Sequence, residues 1–237
     1  MAWASEAEYN GRLPTNHQKQ QFMVTKRKPR ERATTAAHDE KRLEIIEHCA
    51  VLFDKVGYHG LTMQMLADEA GLGKPTLYHY FSSKADILFE MLQLHLDAAI
   101  SEVAAVAAQC DDPEEVLVQA CAFTLREIAT HPGYVRAVME HYGDLEGERR
   151  AEIRKRRQAY FDLIAGAIGK GIETGQFRQQ DPAVSTLVFV GMCNWAYKWY
   201  PAMASKNAPE KMARTLSQVF LDGLNAPADA GAEAIPG

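Results

Sequence analysis

Lys74, Thr76, Tyr78, His79 and Tyr80 crowd into two helical turns of the segment KPTLYHYF, residues 74–81, with no acid among them. Ammonium, hydroxyl, phenol and imidazole groups so placed can donate to phosphate oxygens or read the edges of bases. Thr62, twelve residues upstream of Lys74, and Lys84, ten residues downstream, extend the set: a hydroxyl at a helix start and a cation at the start of the next helix both suit a phosphate. The bland alternative is a solvated helical hairpin in which Thr62 and Ser83 merely cap helices, and capping does not exclude a phosphate contact.

A second concentration lies at Gly191–Tyr200, GMCNWAYKWY, where Trp195 and Trp199 stand four residues apart with Asn194 beside them. On one continuous helix the two indoles share a face. That face is either the wall of a pocket for an apolar ligand or the core of an interface between subunits, where aromatic residues are enriched. Catalytic and redox chemistry are less well served. Glu140 and His141 are adjacent on a helix and diverge, and neither they nor His95 and His131 form the H-E-x-x-H spacing of a metal-binding helix, so an enzyme is not expected. Cys49, Cys110, Cys121 and Cys193 never form C-x-x-C, and no basic neighbour activates Cys110, Cys121 or Cys193; a thiol-based redox sensor built on one of these three stays an alternative, and reduced, inert cysteines in a cytoplasmic protein are the simpler reading. No cofactor is implied.

The elements that must position these groups are all helical. Apolar residues recur at three- and four-residue spacing from Lys41, with Ile45, Cys49, Leu52 and Val56 on one stripe, and Gly57 ends that helix. Thr62 sits where an N-cap belongs, and Met63, Leu66, Ala67 and Ala70 face a core until Gly71 stops the helix. Gly71-Leu72-Gly73 turns the chain into a third helix with Pro75 in its first turn and Leu77 and Phe81 inward. This is helix-turn-helix geometry, which sets the second helix in the major groove. Ser83 caps a fourth helix running toward residue 108. Beyond Pro113, helical periods are expected over 116–130, 134–142, 146–174, 182–204 and 209–224, with no strand pattern competing.

Charge divides the chain. The net charge is −5, yet Lys19 to Arg32 holds six basic residues against Glu31 alone, whereas residues 91–237 hold 14 basic and 19 acidic residues. Only the N-terminal part has the balance that counterion release from DNA requires. Residues 1–38 have the composition of a disordered basic arm, which either follows the duplex or is a solvated tail, and 226–237 read as a disordered tail. Between them are expected a DNA-binding domain over 39–99, with its motif at 62–81, and a ligand-binding and dimerisation domain over 100–225. The apolar run Val184–Ala196 stops at Lys198 and Pro201, short of the ~20 residues a membrane span needs, so no membrane partner is expected.

The pattern T-x-x-x-L-A-x-x-A-G-x-x-K-x-T-L-Y-x-Y-F-x-S-K, residues 62–84, resembles the DNA-binding signature of the tetracycline-repressor (TetR) family. The resemblance spans residues 41–90. It implies an all-α fold, with three N-terminal helices for DNA, a linking fourth helix and a helical domain that holds a small-molecule effector and forms a homodimer on a palindromic operator. By position it implicates Thr62, Lys74, Thr76, Tyr78, His79, Tyr80 and Lys84 in DNA contact, with Gly73 and Pro75 at a close backbone approach; Gly73 lacks the hydroxyl many members carry there, and Pro75 lacks a donor N–H. The N-W-x-x-x-W-Y pattern is similar to TetR-type regulators of fatty-acid and steroid-fragment degradation, which implies an acyl-CoA thioester as effector. Leu125, Ile128, Val138 and Phe161 then suit an apolar pocket with Asn194, Trp195 and Trp199, and Arg136 suits the phosphates. Ligand-induced release of a repressor is the expected action.

Overall fold

The computed structural model describes residues 29–224, with side chains from Ala37 onward. Among these residues nine α-helices follow one another: α1 Pro29–Gly60, α2 Met63–Glu69, α3 Lys74–Tyr80, α4 Lys84–Gln109, α5 Pro113–Thr130, α6 Pro132–His141, α7 Gly147–Glu173, α8 Pro182–Trp195 and α9 Pro209–Leu224, with short 3-10 turns after α6 and α8. Among the described residues the fold is all-α.

The ends of the helices follow the capping residues. Thr62, Ser83, Asp112 and Asp181 each accept a backbone N–H of the following turn, and Pro113 and Pro182 occupy first-turn positions where the missing donor costs nothing. Gly57 breaks the helical path of α1 at φ 67, ψ 167, a region that favours glycine. Helix α1 begins at Pro29, inside the stretch read from sequence as an arm; the rest of that stretch and the tail 226–237 lie outside the described residues.

The expected helix over 182–204 is cut short. Pro201 has no N–H to donate and its ring collides with the carbonyl four residues back, so α8 ends at Trp195 and the chain continues in 3-10 turns at 196–198 and 200–202. Trp195 and Trp199 therefore do not share a helical face. Trp195 is 63% exposed on the outer side of α8, and the half-buried Trp199 meets Tyr200 edge to face.

Two apolar cores result. One gathers Ile45, Ile46, Cys49, Phe53, Leu66, Leu77, Phe81 and Met91 from α1 to α4, and it takes in Ala137, Val138, Tyr142, Leu145 and Ile153 from beyond α5. The other joins α5, α7, α8 and α9 around Leu117, Cys121, Leu125, Ile164, Phe189 and Tyr200. Helix α4 contributes to both and is long and apolar enough by composition to cross a membrane. Its inner residues Ile87, Leu88, Met91 and Leu92 are consumed by the first core, and Asp86, Glu90, Asp97 and Glu102 stand on it. Helix α6 lies directly on α1. A Cβ on Gly133 would come 2.0 Å from the Ala50 carbonyl oxygen, so glycine is what lets the two backbones touch.

Candidate nucleic-acid interface and effector pocket

Helix α3 is fixed from below and open above. Leu77 and Phe81 are buried, while Lys74, Pro75, Thr76, Tyr78 and His79 are exposed. Seven residues make two turns, so a single buried stripe leaves the rest of the helix to solvent. Tyr80 is half-buried: its ring stacks on His38 of α1 at 4.9 Å and its carbonyl accepts from Arg42, which also pairs with Glu90 of α4. Gly73 caps α3 in an extended conformation, where a Cβ would make only ordinary contacts with Pro75 and Thr76 at 3.8 and 3.9 Å. Thr62 is exposed, and its hydroxyl accepts the Met65 N–H at 3.2 Å.

Lys84 has its ammonium engaged within the fold. Its ammonium donates to the Tyr58 and Leu61 carbonyls at 3.0 and 3.1 Å and lies 4.5 Å from the Tyr58 ring. It braces the turn between α1 and α2 from below. A backbone turn with spare carbonyls supplies what a nearby cation needs, and pattern matching at position 84 does not register it.

Of the residues expected around an effector, the structure brings Val138, Phe161 and Asn194 to one cavity under α6, with His95, Phe123, Thr124, Met139, Arg157, Tyr160 and Val190. Its volume is about 30 Å³, room for about one water. Ile128 and Arg136 instead line a cleft of about 340 Å³ on the other side of α6, with Asp54, Val135, Tyr197 and Lys198. Leu125 is fully buried and lines neither, and Trp195 and Trp199 line neither. Helix α5 is buried around nearly its whole circumference, so its sequence does not reveal that Phe123 and Thr124, and not Leu125, face the cavity.

The polar groups in this region are paired. His95 lies 3.4 Å from Glu127, whose other oxygen meets His131 at 3.2 Å; burial works to raise the Glu127 carboxyl, and the two histidines outweigh it and hold it below the ordinary range. Burial pushes the Tyr160 phenol well up. In the cleft, Glu140 receives Lys198 at 2.8 Å, Tyr197 at 3.3 Å and Arg136 at 3.4 Å, which together overcome its burial and hold it low. The dense cations of α7 are also engaged: Arg149 pairs with Asp86 and Arg156 with Asp97 of α4.

Cys49 and Cys193 offer little to an oxidant, whereas Cys121, hydrogen-bonded by Cys193, is held below its ordinary value. Burial pushes Cys49 up to about 12 and Cys193 well above its ordinary value, Cys193 lying within hydrogen-bonding reach of Cys121. His141, which diverges from Glu140 as its adjacent position on the helix requires, lies beside Asp144, three residues on, and His59.

Residues 45–91 match the family model for bacterial regulatory proteins of the tetR family, and residues 110–224 match that of a tetracyclin repressor-like C-terminal domain. The chain belongs to the TetR family. The HTH-type transcriptional repressor KstR2 of Rhodococcus jostii is 25% identical over 195 residues, 81% of this chain and 95% of that protein. The HTH-type transcriptional activator FasR of Mycolicibacterium smegmatis is 28% identical over 151 residues, 62% of this chain and 68% of that protein. The crystal structure of AibR in complex with isovaleryl coenzyme A and operator DNA superposes with a TM-score of 0.68 at 25% identity, covering 79% of this chain and 99% of AibR. As a TetR-family member the chain is a DNA-binding transcription regulator and not an enzyme.

Helix α8 carries an exposed apolar surface. Val184, Leu187, Val188 and Trp195 are 55, 46, 57 and 63% exposed and, with the exposed Gly191, form a stripe at three- and four-residue spacing along α8. Val219 of α9 is 71% exposed. Such a patch on a folded chain marks a protein interface.

Proposed function

We propose that this regulator is a cytoplasmic repressor that binds a palindromic operator as a two-fold dimer and is released by an acyl-CoA thioester. Thr62, Lys74, Thr76, Tyr78 and His79 make the DNA contacts, with Gly73 and Pro75 at the close approach. Tyr80 acts mainly by seating α3 on α1, and Lys84 by holding the turn that leads into α2. The outer stripe of α8, with α9, is the dimer face.

The observation that carries the effector reading is the double role of α6. Val138 and Met139 wall the cavity from this helix, while Gly133 of the same helix sits on the α1 backbone. A cavity of about 30 Å³ admits an acyl chain only if its walls move apart, and α6 cannot move without shifting α1. A ligand that favours the opened arrangement then disfavours the spacing of recognition helices that fits successive major grooves. The acyl group occupies the cavity beside Phe123, Val138 and Phe161, with Asn194 and Tyr160 offered to the thioester carbonyl; the cleft with Arg136 and Lys198 takes the phosphates. AibR, whose structure holds isovaleryl coenzyme A, supports this ligand class.

The test is a mobility-shift assay on the DNA upstream of the protein's own gene, titrated with acyl-CoAs of increasing chain length, steroid-derived acyl-CoAs, free CoA and free fatty acids. Release by acyl-CoAs alone is expected. A shifted complex that no acyl-CoA releases contradicts the effector assignment, and absence of any shift contradicts the DNA surface.

A further inference from the structure

The turn between α1 and α2 meets the turn after α6 at a group of side chains that the effector reading does not use. Asp144 shares its carboxylate between two imidazoles: Oδ2 lies 2.9 Å from His141 Nδ1, and Oδ1 lies 3.2 Å from His59 Nε2. One ligand atom from each of the three residues lies within 4.8 Å of the other two. Two imidazole nitrogens and one carboxylate oxygen are the donors of a borderline divalent ion, whereas magnesium and calcium favour all-oxygen sites. With metal–ligand bonds of ~2.0–2.2 Å, tetrahedral donors sit roughly 3.3 Å apart. The observed separations of 2.9 and 3.2 Å run to different oxygens of Asp144, so gathering the three donors on one ion takes a rotation of that carboxylate or of the exposed His59 ring. His59 is 75% exposed while His141 is buried, so the site is anchored inside and open to water outside, with a fourth position for solvent.

We propose that His59, His141 and Asp144 bind a divalent transition-metal ion, zinc foremost, and that the ion weakens operator binding. This rests on the chain's DNA binding and not on the acyl-CoA reading. The link to DNA is the second nitrogen of His141. Its Nε2 accepts the Tyr58 backbone N–H at 3.1 Å, which fixes the ring proton on Nδ1, where it is donated to Asp144. A metal on Nδ1 needs that lone pair, and the proton passes to Nε2. There it faces the Tyr58 N–H, so two donors point at each other and the metal and the Tyr58 hydrogen bond exclude one another. Gly57, at φ 67, gives the chain the turn that brings the Tyr58 N–H to His141. The Tyr58–Leu61 turn is thus held by His141 on one side and Lys84 on the other, and the next residue, Thr62, caps α2. Losing the His141 side loosens the entry to the helix-turn-helix.

The experiment is calorimetric titration of the full chain with zinc chloride, for wild type, His59→Ala and Asp144→Asn, followed by fluorescence anisotropy on operator DNA with zinc or with a chelator. His59 is exposed, so its replacement leaves the core untouched. The proposal expects one zinc per chain, an affinity at least ~10-fold lower in each variant, no competition by magnesium, and a zinc-dependent loss of operator affinity in wild type that His59→Ala abolishes. Zinc binding undiminished in both variants overturns the site. Zinc bound at the site with operator affinity unchanged overturns the coupling to DNA.

Discussion

Helices α3 and α8 both turn a face to solvent, and the two faces are chemically opposite. On α3 the outward residues are Lys74, Thr76, Tyr78 and His79, each with a hydrogen-bonding group. On α8 they are Val184, Leu187, Val188 and Trp195, with hardly a polar atom among them. The first suits a partner made of phosphates and base edges. The second costs free energy in water and is satisfied only by another apolar surface, which in a two-fold assembly is the same stripe on a second copy. The difference teaches that exposure alone does not identify a site: the type of atom exposed separates a ligand-reading face from an assembly face. Gly133, at the contact of α6 with α1, belongs to neither face.

Breaking the assembly face has the largest expected effect. Leu187→Asp together with Val188→Asp places two charges in the dimer interface; sedimentation should report a monomer, and operator affinity should fall on the order of 1,000-fold through lost bivalency. A double variant that remains dimeric would show that α8 is not the interface. The joint comes next: Gly133→Ala drives a Cβ into the Ala50 carbonyl, and urea unfolding should show a loss of about 3 kcal/mol. Tyr78→Ala sharpens the contrast from the DNA side. It should weaken operator binding roughly 10-fold with an unchanged melting temperature, because Tyr78 is 46% exposed and lies outside the buried core. Wild-type affinity in that variant would shift the reading face away from α3.

The smallest effect tests the ion pair behind His95, a residue of the cavity wall. Glu127 is held below its ordinary carboxyl range by His95 and His131, so its stabilisation is fully present above about pH 4.3, the unperturbed glutamate value. It is lost as the pH falls through the lower folded value. Glu127→Gln should therefore cost only a few tenths of a kcal/mol at neutral pH after solvent screening, and the gap from wild type should close in thermal melts on acidification. A gap that widens on acidification would contradict the sign.

The DNA-reading half was legible because its pattern is local: a cap at Thr62, a glycine turn and an inward pair, Leu77 and Phe81, within twenty-three residues. The sensing half was legible only as helices. Its cavity is assembled from α4, α5, α6, α7 and α8, and no local period records which residue of a fully buried helix faces a void. Pro201 was a readable signal that α8 ends early, and with it the supposed Trp195–Trp199 face. The roles of Lys84 and His141 depend on carbonyl and amide groups at Tyr58 and Leu61, 26 and 83 residues from Tyr58 along the chain, a separation beyond any sequence pattern.

The central claim is that the cavity under α6 and the operator surface are coupled, and linkage makes the coupling reciprocal. The most direct test is the dissociation constant of an acyl-CoA measured by calorimetry with and without saturating operator duplex. The account predicts that operator weakens acyl-CoA binding by the same factor by which acyl-CoA weakens operator binding. An acyl-CoA affinity that operator leaves unchanged would contradict it.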